Sequence, residues 1–575
     1  MVNIREEIAK ILVKHIDGME LADIVQLVEV PADTSHGDYA FPCFKLAKIM
    51  RKAPPMIAAE LAEKISGEPL FEKVEQINAF LNMFISKEFF TKAVLEEVLG
   101  AGNGFGRSDE GAGKTVIVEF SSPNIAKPFH IGHIRTTVIG NSLYKLFDFL
   151  GYKVVRMNHL GDYGTQFGKI IAAYRRWGNR EEVEANPIST LLAMYVRFHE
   201  EEKNDPALTE EAREAFAALE RGEKAEKDLW QWIRDESLKE FRRVYDMMDI
   251  DFDDWSGESF YTDKMPAVIE ELKAKGLLKE SQGAQIVDLE PFGLTPAIIT
   301  KSDGTSIYLT RDLASAIYRK NTYDFSKSIY VVASQQDLHF KQLFKVLELM
   351  GYEWAKDCVH VNFGMVSLPE GTLSTRKGRV VFLEDVLKTA VSKTRDIVTE
   401  KGVNADLIDE TSKTVGIGAV MFNELSSGRI KDYVFDWNEI LNFDGETGPY
   451  VQYTHARCAS VLRNAAAKYG AAAMDAAAVE KADLSAVQSP AAYELTKLIY
   501  AFPAAVKDAA DKYEPSVVTR HTIKVAQAFN KFYHDEHILV DDPAERSAKL
   551  MLTAAAMQTI KNGLGLLGIK APERM

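Results

Sequence analysis

Cysteine is scarce in this 575-residue chain: Cys43, Cys358 and Cys458 stand far apart, and none belongs to a CxxC pair. Such spacing argues against a disulfide framework or a cysteine-built zinc site, and it suits a reducing cytoplasm. No run of about 18 uncharged apolar residues occurs, so no membrane span is expected. The opening stretch MVNIREEIAKILVKHIDGME mixes both charge signs and lacks the apolar centre of a signal peptide. No HExxH motif and no regular internal repeat is found. Positive charge is in deficit, with a formal net charge of −15. Taken alone, that weighs against a nucleic-acid partner, although net charge does not report local basic strips.

Hydrophobic residues make up 46% and charged residues 27%, the balance of an ordinary soluble globular protein. The length exceeds what one core organises, so three or four domains are expected. Residues 1–108 read as a small α+β unit. Ile4, Ile8, Ile11, Leu12 and Ile16 recur at helical spacing, and a second helix follows Pro54-Pro55. Ile77, Ala79, Leu81, Met83 and Ile85 alternate as a strand does. The glycine-rich segment GNGFGRSDEGAGK reads as a linker.

Residues 109–384 change character. KTVIVEF (114–120) is a short, continuous apolar run, as in a strand covered on both faces. A helix ending at Gly151 and the strand KVVRMNHLG follow it. A second β-α-β unit runs from SIYVVASQQ (328–336) through DLHFKQLFKVLELMG to CVHVNFGMV. Two such halves predict an α/β fold: a doubly wound, Rossmann-like sheet. A charged, mainly helical insertion separates them at about 172–290, and its aromatic residues read as core packing. Beyond 385 the pattern is helical, with a connection over 385–450 and an all-α bundle over 451–575. The alanine-rich stretch 465–483 reads as a surface connection.

The chemistry concentrates in SSPNIAKPFHIGH (121–133), where the first strand hands over to a helix. Three readings compete for His130 and His133. They can be metal ligands, but no further ligand motif accompanies them. They can be structural residues at a helix end. They can also serve an anion: a helix N-terminus presents unpaired N–H groups and positive potential, Gly132 lets a flat ligand approach the backbone, and Lys127 adds a mobile charge. Imidazoles placed there donate to phosphate oxygens as charge builds up in a phosphoryl-centred transition state.

The stretch EFSSPNIAKPFHIGHIR, with RMNHLGDYGTQFG (156–168), resembles the first signature region of class I aminoacyl-tRNA synthetases in the form seen in arginine–tRNA ligases. The resemblance covers essentially the whole chain. SHGDYAFPCF and INAFLNMFI resemble the family's added tRNA-contacting domain, while YVQYTHARCASVLR and the terminal ERM resemble its helical anticodon-binding domain. GTLSTRKGRVVFLEDVL, from Gly371, occupies the place of the family's mobile KMSKS loop. Ser374 matches the first serine, but Thr372 and Thr375 stand where the two lysines belong, and basic charge returns only at Arg376 and Lys377. In arginine enzymes with this departure, the lysine just upstream of HIGH is thought to compensate, and Lys127 matches that position.

The resemblance implies ATP with Mg2+ as a substrate complex, with neither zinc nor a bound organic cofactor. It implies catalytic roles for His130, His133, Lys127 and Lys377, and ATP contacts from Gly132, Ser374 and Arg376. It assigns arginine contacts to Asn124, His130, Tyr308, Asp312 and Gln336. Glu119 joins these as a carboxylate expected at a strand end, where an unpaired charge would be costly. Tyr308 and Asp312 share a face if their segment is helical. The partners implied are L-arginine, ATP and tRNA(Arg), with no membrane and a monomeric enzyme. Arg457, Arg463, Lys468, Arg520 and Lys524, interleaved with Tyr450, Tyr453 and Tyr469, mark a region suited to unpaired anticodon bases. Another class I synthetase, a smaller HxGH nucleotidylyltransferase and a silent RNA-binding paralogue remain as alternatives.

Overall fold

The structure, a computed structural model, describes residues 3–301, 308–367, 381–470 and 476–575. At the N-terminus, Asn3 caps the helix Ile4–Leu12 by accepting from the Glu6 N–H at 3.3 Å, and Ile4, Ile8, Ile11 and Leu12 turn inward. A second helix, Pro54–Ile65, starts with proline in its first turn, where a missing N–H costs nothing. The alternating stretch 77–85 is not one strand. Phe71–Ile77 and Phe80–Ile85 form an antiparallel hairpin, with Asn78 in the left-handed region at φ 56°. Alternation alone could not reveal the turn, because a two-residue loop leaves the inside–outside pattern of the returning strand legible as a continuation. Tyr39–Pro42 completes this three-stranded sheet.

The central sheet is parallel, in the order Cys358–Val361, Lys327–Val331, Thr115–Glu119, Lys153–Met157. Val116, Ile117 and Val118 are each 0% exposed, so both faces are covered. Each such side chain contributes about 1.5–3 kcal/mol of apolar burial. The strand order reverses between Thr115–Glu119 and Lys327–Val331. In doubly wound sheets, ligands bind outside the carboxyl ends of strands at such a reversal. The helix Ile134–Phe149 returns from the first strand, and Asp337–Leu349 follows the third. That third strand stops at Val331. Gln336 therefore does not end it but lies in the turn Ser334–Gln336, at the start of the next helix.

The insertion is helical through Lys224–Met248, then closes with a helix, Met265–Ala274, and an antiparallel sheet of Leu278–Ser281, Ala284–Val287 and Ala297–Thr300. Phe241 and Tyr245 on the long helix are buried, as core packing predicts. The chain continues as helices Leu383–Glu400 and Ala405–Ser426, then Gly448–Tyr469, Pro490–Asp511, Ser516–Asp535 and Pro543–Leu566. This bundle is sewn to the nucleotide-binding unit: Ser142 Oγ donates to Leu566 O at 2.9 Å, and Phe105 stacks on Phe502 at 5.7 Å. In the alanine-rich stretch, the first helix runs to Tyr469, Ala476–Val479 forms a further turn, and 471–475 lie outside the described residues. All three cysteines are buried and unbridged. Among the described residues, no helix is long and apolar enough to cross a membrane.

Candidate active site

The strand Thr115–Glu119 delivers the chain to the sheet reversal, and the next residues take an unusual path. Ser121, Ser122 and Ala126 all adopt left-handed backbone, at φ 70°, 47° and 56°. Each costs on the order of 1 kcal/mol for a non-glycine residue, so the surroundings must hold them. The Ser121 N–H donates to Thr136 Oγ1 at 3.0 Å, and its hydroxyl lies 2.8 Å from Thr137 Oγ1 and 2.7 Å from Tyr245 OH. The Ala126 N–H donates to Ser237 Oγ at 3.0 Å. Tyr245 and Ser237 belong to the long insertion helix, which thereby clamps the signature loop against its own helix.

His130 and His133 cap one another. The Gly132 N–H donates to His130 Nδ1 at 3.0 Å, and the His130 N–H donates to His133 Nδ1 at 3.2 Å. With Nδ1 accepting from Gly132, the neutral His130 ring carries its proton on Nε2, free to donate elsewhere, while His133 Nδ1 lies 3.2 Å from both the backbone N and the backbone O of His130. The rings lie 4.1 Å apart. Enclosure lowers His130, while enclosure and the neighbouring His130 push His133 down to about 3. Both are therefore neutral donors at physiological pH. The structural and anion-binding readings use different nitrogens of the same rings. Among the described residues, no group of three or more His, Cys, Asp or Glu is placed to hold a metal ion.

Ser374, Arg376 and Lys377, with Thr372 and Thr375, lie outside the described residues. The flanks of their segment are anchored. On one side Val366–Ser367 pairs with Tyr433–Val434. On the other, the Ile131 N–H donates to Val381 O at 3.0 Å and the Leu383 N–H to Phe129 O at 2.9 Å. The chain thus leaves the second signature's segment hydrogen-bonded to the backbone on both sides of His130.

The helix Tyr308–Tyr323 carries Tyr308 and Asp312 one turn apart. Tyr308 is 60% exposed. Asp312 Oδ2 accepts from His339 Nε2 at 2.6 Å; burial pushes this carboxyl up, but the hydrogen bond and the His339 charge outweigh it and hold it below the usual carboxylate range. Asn124 is exposed beside Gly161, whose backbone bridges to residues 123 and 125. A Cβ on Gly161 would meet Asn124 Oδ1 at 2.1 Å, so a side chain there would displace the Asn124 amide. Gln336 is exposed at the helix start. Lys127, half-buried, lies near enough to Glu258 to draw that carboxyl downward.

Glu119 departs from expectation. Its Oε2 lies 2.5 Å from Nη1 of Arg319, which is 1% exposed. Arg319 reaches back from the same helix that carries Asp312, so the strand-end carboxylate is neutralised inside the core and is not open to a ligand. A second acidic residue, Glu258, lies within electrostatic reach of Asp312, Asp162 and Lys127 instead. Glu258 begins the turn Glu258–Lys264, its N–H donating to Leu160 O at 2.9 Å. Asp162 fixes the neighbouring residue, accepting from the Ser259 N–H at 2.8 Å and the Ser259 hydroxyl at 2.9 Å. Burial pushes Glu258 up to about 8; Arg311 opposes that, while Asp312 and Asp162 add to it. No sequence motif marks Glu258. Its only signal is a carboxylate in a glycine- and aromatic-rich turn of the insertion.

A doubly wound sheet with a mutually capped imidazole pair at its reversal, a helical insertion and an appended helical bundle defines a class I, nucleotide-activating synthetase architecture. The family model for the class I (R) tRNA synthetase catalytic domain matches residues 95–437. An arginyl-tRNA synthetase N-terminal domain matches 2–85, and a DALR anticodon-binding domain matches 451–575. The chain is 56% identical to the arginine–tRNA ligase of Clostridioides difficile strain 630 and 54% to that of Halothermothrix orenii, covering 100% of each chain in both cases. It superposes on the Thermus thermophilus arginyl-tRNA synthetase with a TM-score of 0.77, at 25% identity and 100% coverage of both chains. The chain belongs to the arginyl-tRNA synthetase family.

Proposed function

We propose that this chain is an arginine–tRNA ligase, joining L-arginine to tRNA(Arg) at the expense of ATP through an arginyl-adenylate. The observation that carries this is full-length identity above one half to arginine–tRNA ligases, together with the imidazole pair at the sheet reversal. In the first step, an arginine carboxylate oxygen attacks the α-phosphorus of Mg·ATP and pyrophosphate leaves. In the second, the 2′-OH of the tRNA's terminal ribose attacks the adenylate carbonyl and AMP leaves. Mg2+ enters with ATP as part of the substrate.

The chain's own groups position and stabilise, and no covalent enzyme intermediate is needed. The Nε2–H groups of His130 and His133 donate to phosphate oxygens beside the amides of the helix start, and Gly132 leaves room for the nucleotide. Lys127 supplies the cation that Thr375 cannot, supported by Lys377, with Ser374 and Arg376 on the same phosphates. The substrate guanidinium lies between Asp312, Tyr308 and Glu258, a two-carboxylate frame suited to a planar five-donor fork. Asn124, His130 and Gln336 hold its α-amino and carboxylate end. Glu119 serves the core, not the substrate.

On the bundle, the Arg457 guanidinium lies 4.9 Å from the Tyr453 ring and 5.3 Å from the Tyr533 ring, both rings being well exposed. This is a stacking platform for unpaired anticodon bases, and it reconciles an acidic chain with an RNA partner. The enzyme works as a cytoplasmic monomer and activates arginine once tRNA is bound. Pyrophosphate exchange measured across the amino acids, with and without tRNA, tests the reading. Exchange is expected with arginine alone and only with tRNA present; equal exchange with another amino acid would overturn it.

A further inference from the structure

Each carboxylate of the guanidinium pocket already has a partner of the protein's own. Asp312 has the His339 imidazole, and Glu258 has Arg311, the residue just before Asp312 on the same helix. Successive helical residues point about 100° apart, so Arg311 swings away from its neighbour and reaches Glu258, its Nη1 lying 3.2 Å from Oε2. The Arg311 side chain is 8% exposed and, among the described residues, its Nε has no hydrogen-bond partner. Its guanidinium carbon lies 5.1 Å from the Tyr163 ring centre and 5.6 Å from that of Tyr308. Two aromatic faces and one carboxylate thus determine where this cation sits.

We propose that Arg311 is a positioning residue for arginine binding: clamped between Tyr163 and Tyr308, it orients the Glu258 carboxylate, with Oε1 turned to the substrate, and opposes the burial that disfavours its charge. The inference rests on the reading that Glu258 receives the substrate guanidinium. Among the described residues Oε1 takes no hydrogen bond, whereas Oε2 is committed to Arg311. The electrostatics agree. Glu258 is enclosed and faces Asp312, Arg311 and Tyr308 from the pocket helix, Asp162 from the segment after the second strand and Lys127 from the signature loop. His339 bears on it through Asp312. Burial and the two carboxylates push Glu258 toward neutrality, and Arg311 is the largest opposing influence. A guanidinium suits the role because it never loses its charge and stacks flat on aromatic rings, which an ammonium cannot do equally well.

The test is steady-state pyrophosphate exchange by the full-length enzyme with tRNA, between pH 6.5 and 9.5, for Arg311→Met, Arg311→Lys and Glu258→Gln. With Arg311→Met the Glu258 carboxyl titrates at higher pH, and each unit of that displacement weakens binding about tenfold on the acid side. The KM for arginine is therefore expected to rise about tenfold near pH 7 and to recover as pH climbs, with the KM for ATP unchanged. Arg311→Lys, which retains the charge, is expected to keep the parent's pH profile. Glu258→Gln is expected to raise the arginine KM at every pH without recovery. A pH-independent rise in Arg311→Met, a fall in its KM, or an acid limb in Arg311→Lys matching that of Arg311→Met would overturn the role of Arg311 while leaving Glu258 in the pocket. An unchanged arginine KM in Glu258→Gln would remove both.

Discussion

Replacing Asp312 by asparagine isolates one charge in the proposed guanidinium pocket. The side chain keeps its size and one oxygen, so an acceptor for His339 Nε2, now 2.6 Å from Oδ2, survives. What disappears is the negative partner for the substrate's guanidinium. A hydrogen bond to a charged group contributes about 1.5–3 kcal/mol, and about 1.4 kcal/mol corresponds to tenfold. The arginine KM is therefore expected to rise roughly 10- to 150-fold. ATP should be indifferent, because the ATP contacts proposed above lie at the signature turn Ile131–His133 and not on the helix Tyr308–Tyr323. Exchange kinetics with arginine and ATP varied in turn, tRNA saturating, separate the two. An arginine KM within twofold of the parent, or an equal rise for both substrates, would show that Asp312 does not read the guanidinium.

Three further outcomes are expected. Lys127→Ala should slow adenylate formation by roughly 10- to 150-fold, the equivalent of losing about 1.5–3 kcal/mol of charge-assisted stabilisation, and more than Lys377→Ala does; near-normal single-turnover rates for Lys127→Ala would remove its compensating role. Arg319→Met leaves Glu119 buried without its partner and should destabilise the fold by about 3–5 kcal/mol in thermal or denaturant unfolding, with Glu119→Gln added to it restoring much of the loss. Tyr453→Ala or Arg457→Ala should raise the KM for tRNA, stacking being worth about 1–3 kcal/mol per base, with the arginine and ATP constants unchanged in exchange assays.

Much of the fold was legible locally. The apolar run over 114–120, the helix halted at Gly151 and the second β-α-β unit reappear as parallel strands and their helices. The hairpin at Asn78 was not legible, because alternation survives a two-residue turn. The site divides in the same way. The signature stretch announced a strand-to-helix junction, and the turn Ile131–His133 stands there, with its Ile131 N–H donating to Val381 O. The spacing of Tyr308 and Asp312 announced a shared face, which the helix provides.

What the sequence determined by itself is therefore whatever neighbours along the chain decide: the period of each element, the stop at a glycine, the imidazole pair bracketing Ile-Gly, and family membership. Tertiary structure decided which charges meet. Glu119 looked available at its strand end and was claimed by Arg319, while Glu258, in an unmarked turn held by Asp162 and Leu160, was brought beside Arg311 and Asp312. The reason is electrostatic. A carboxylate's availability depends on the cations and dielectric within a few ångströms, and in a core those neighbours come from remote segments that only packing brings together.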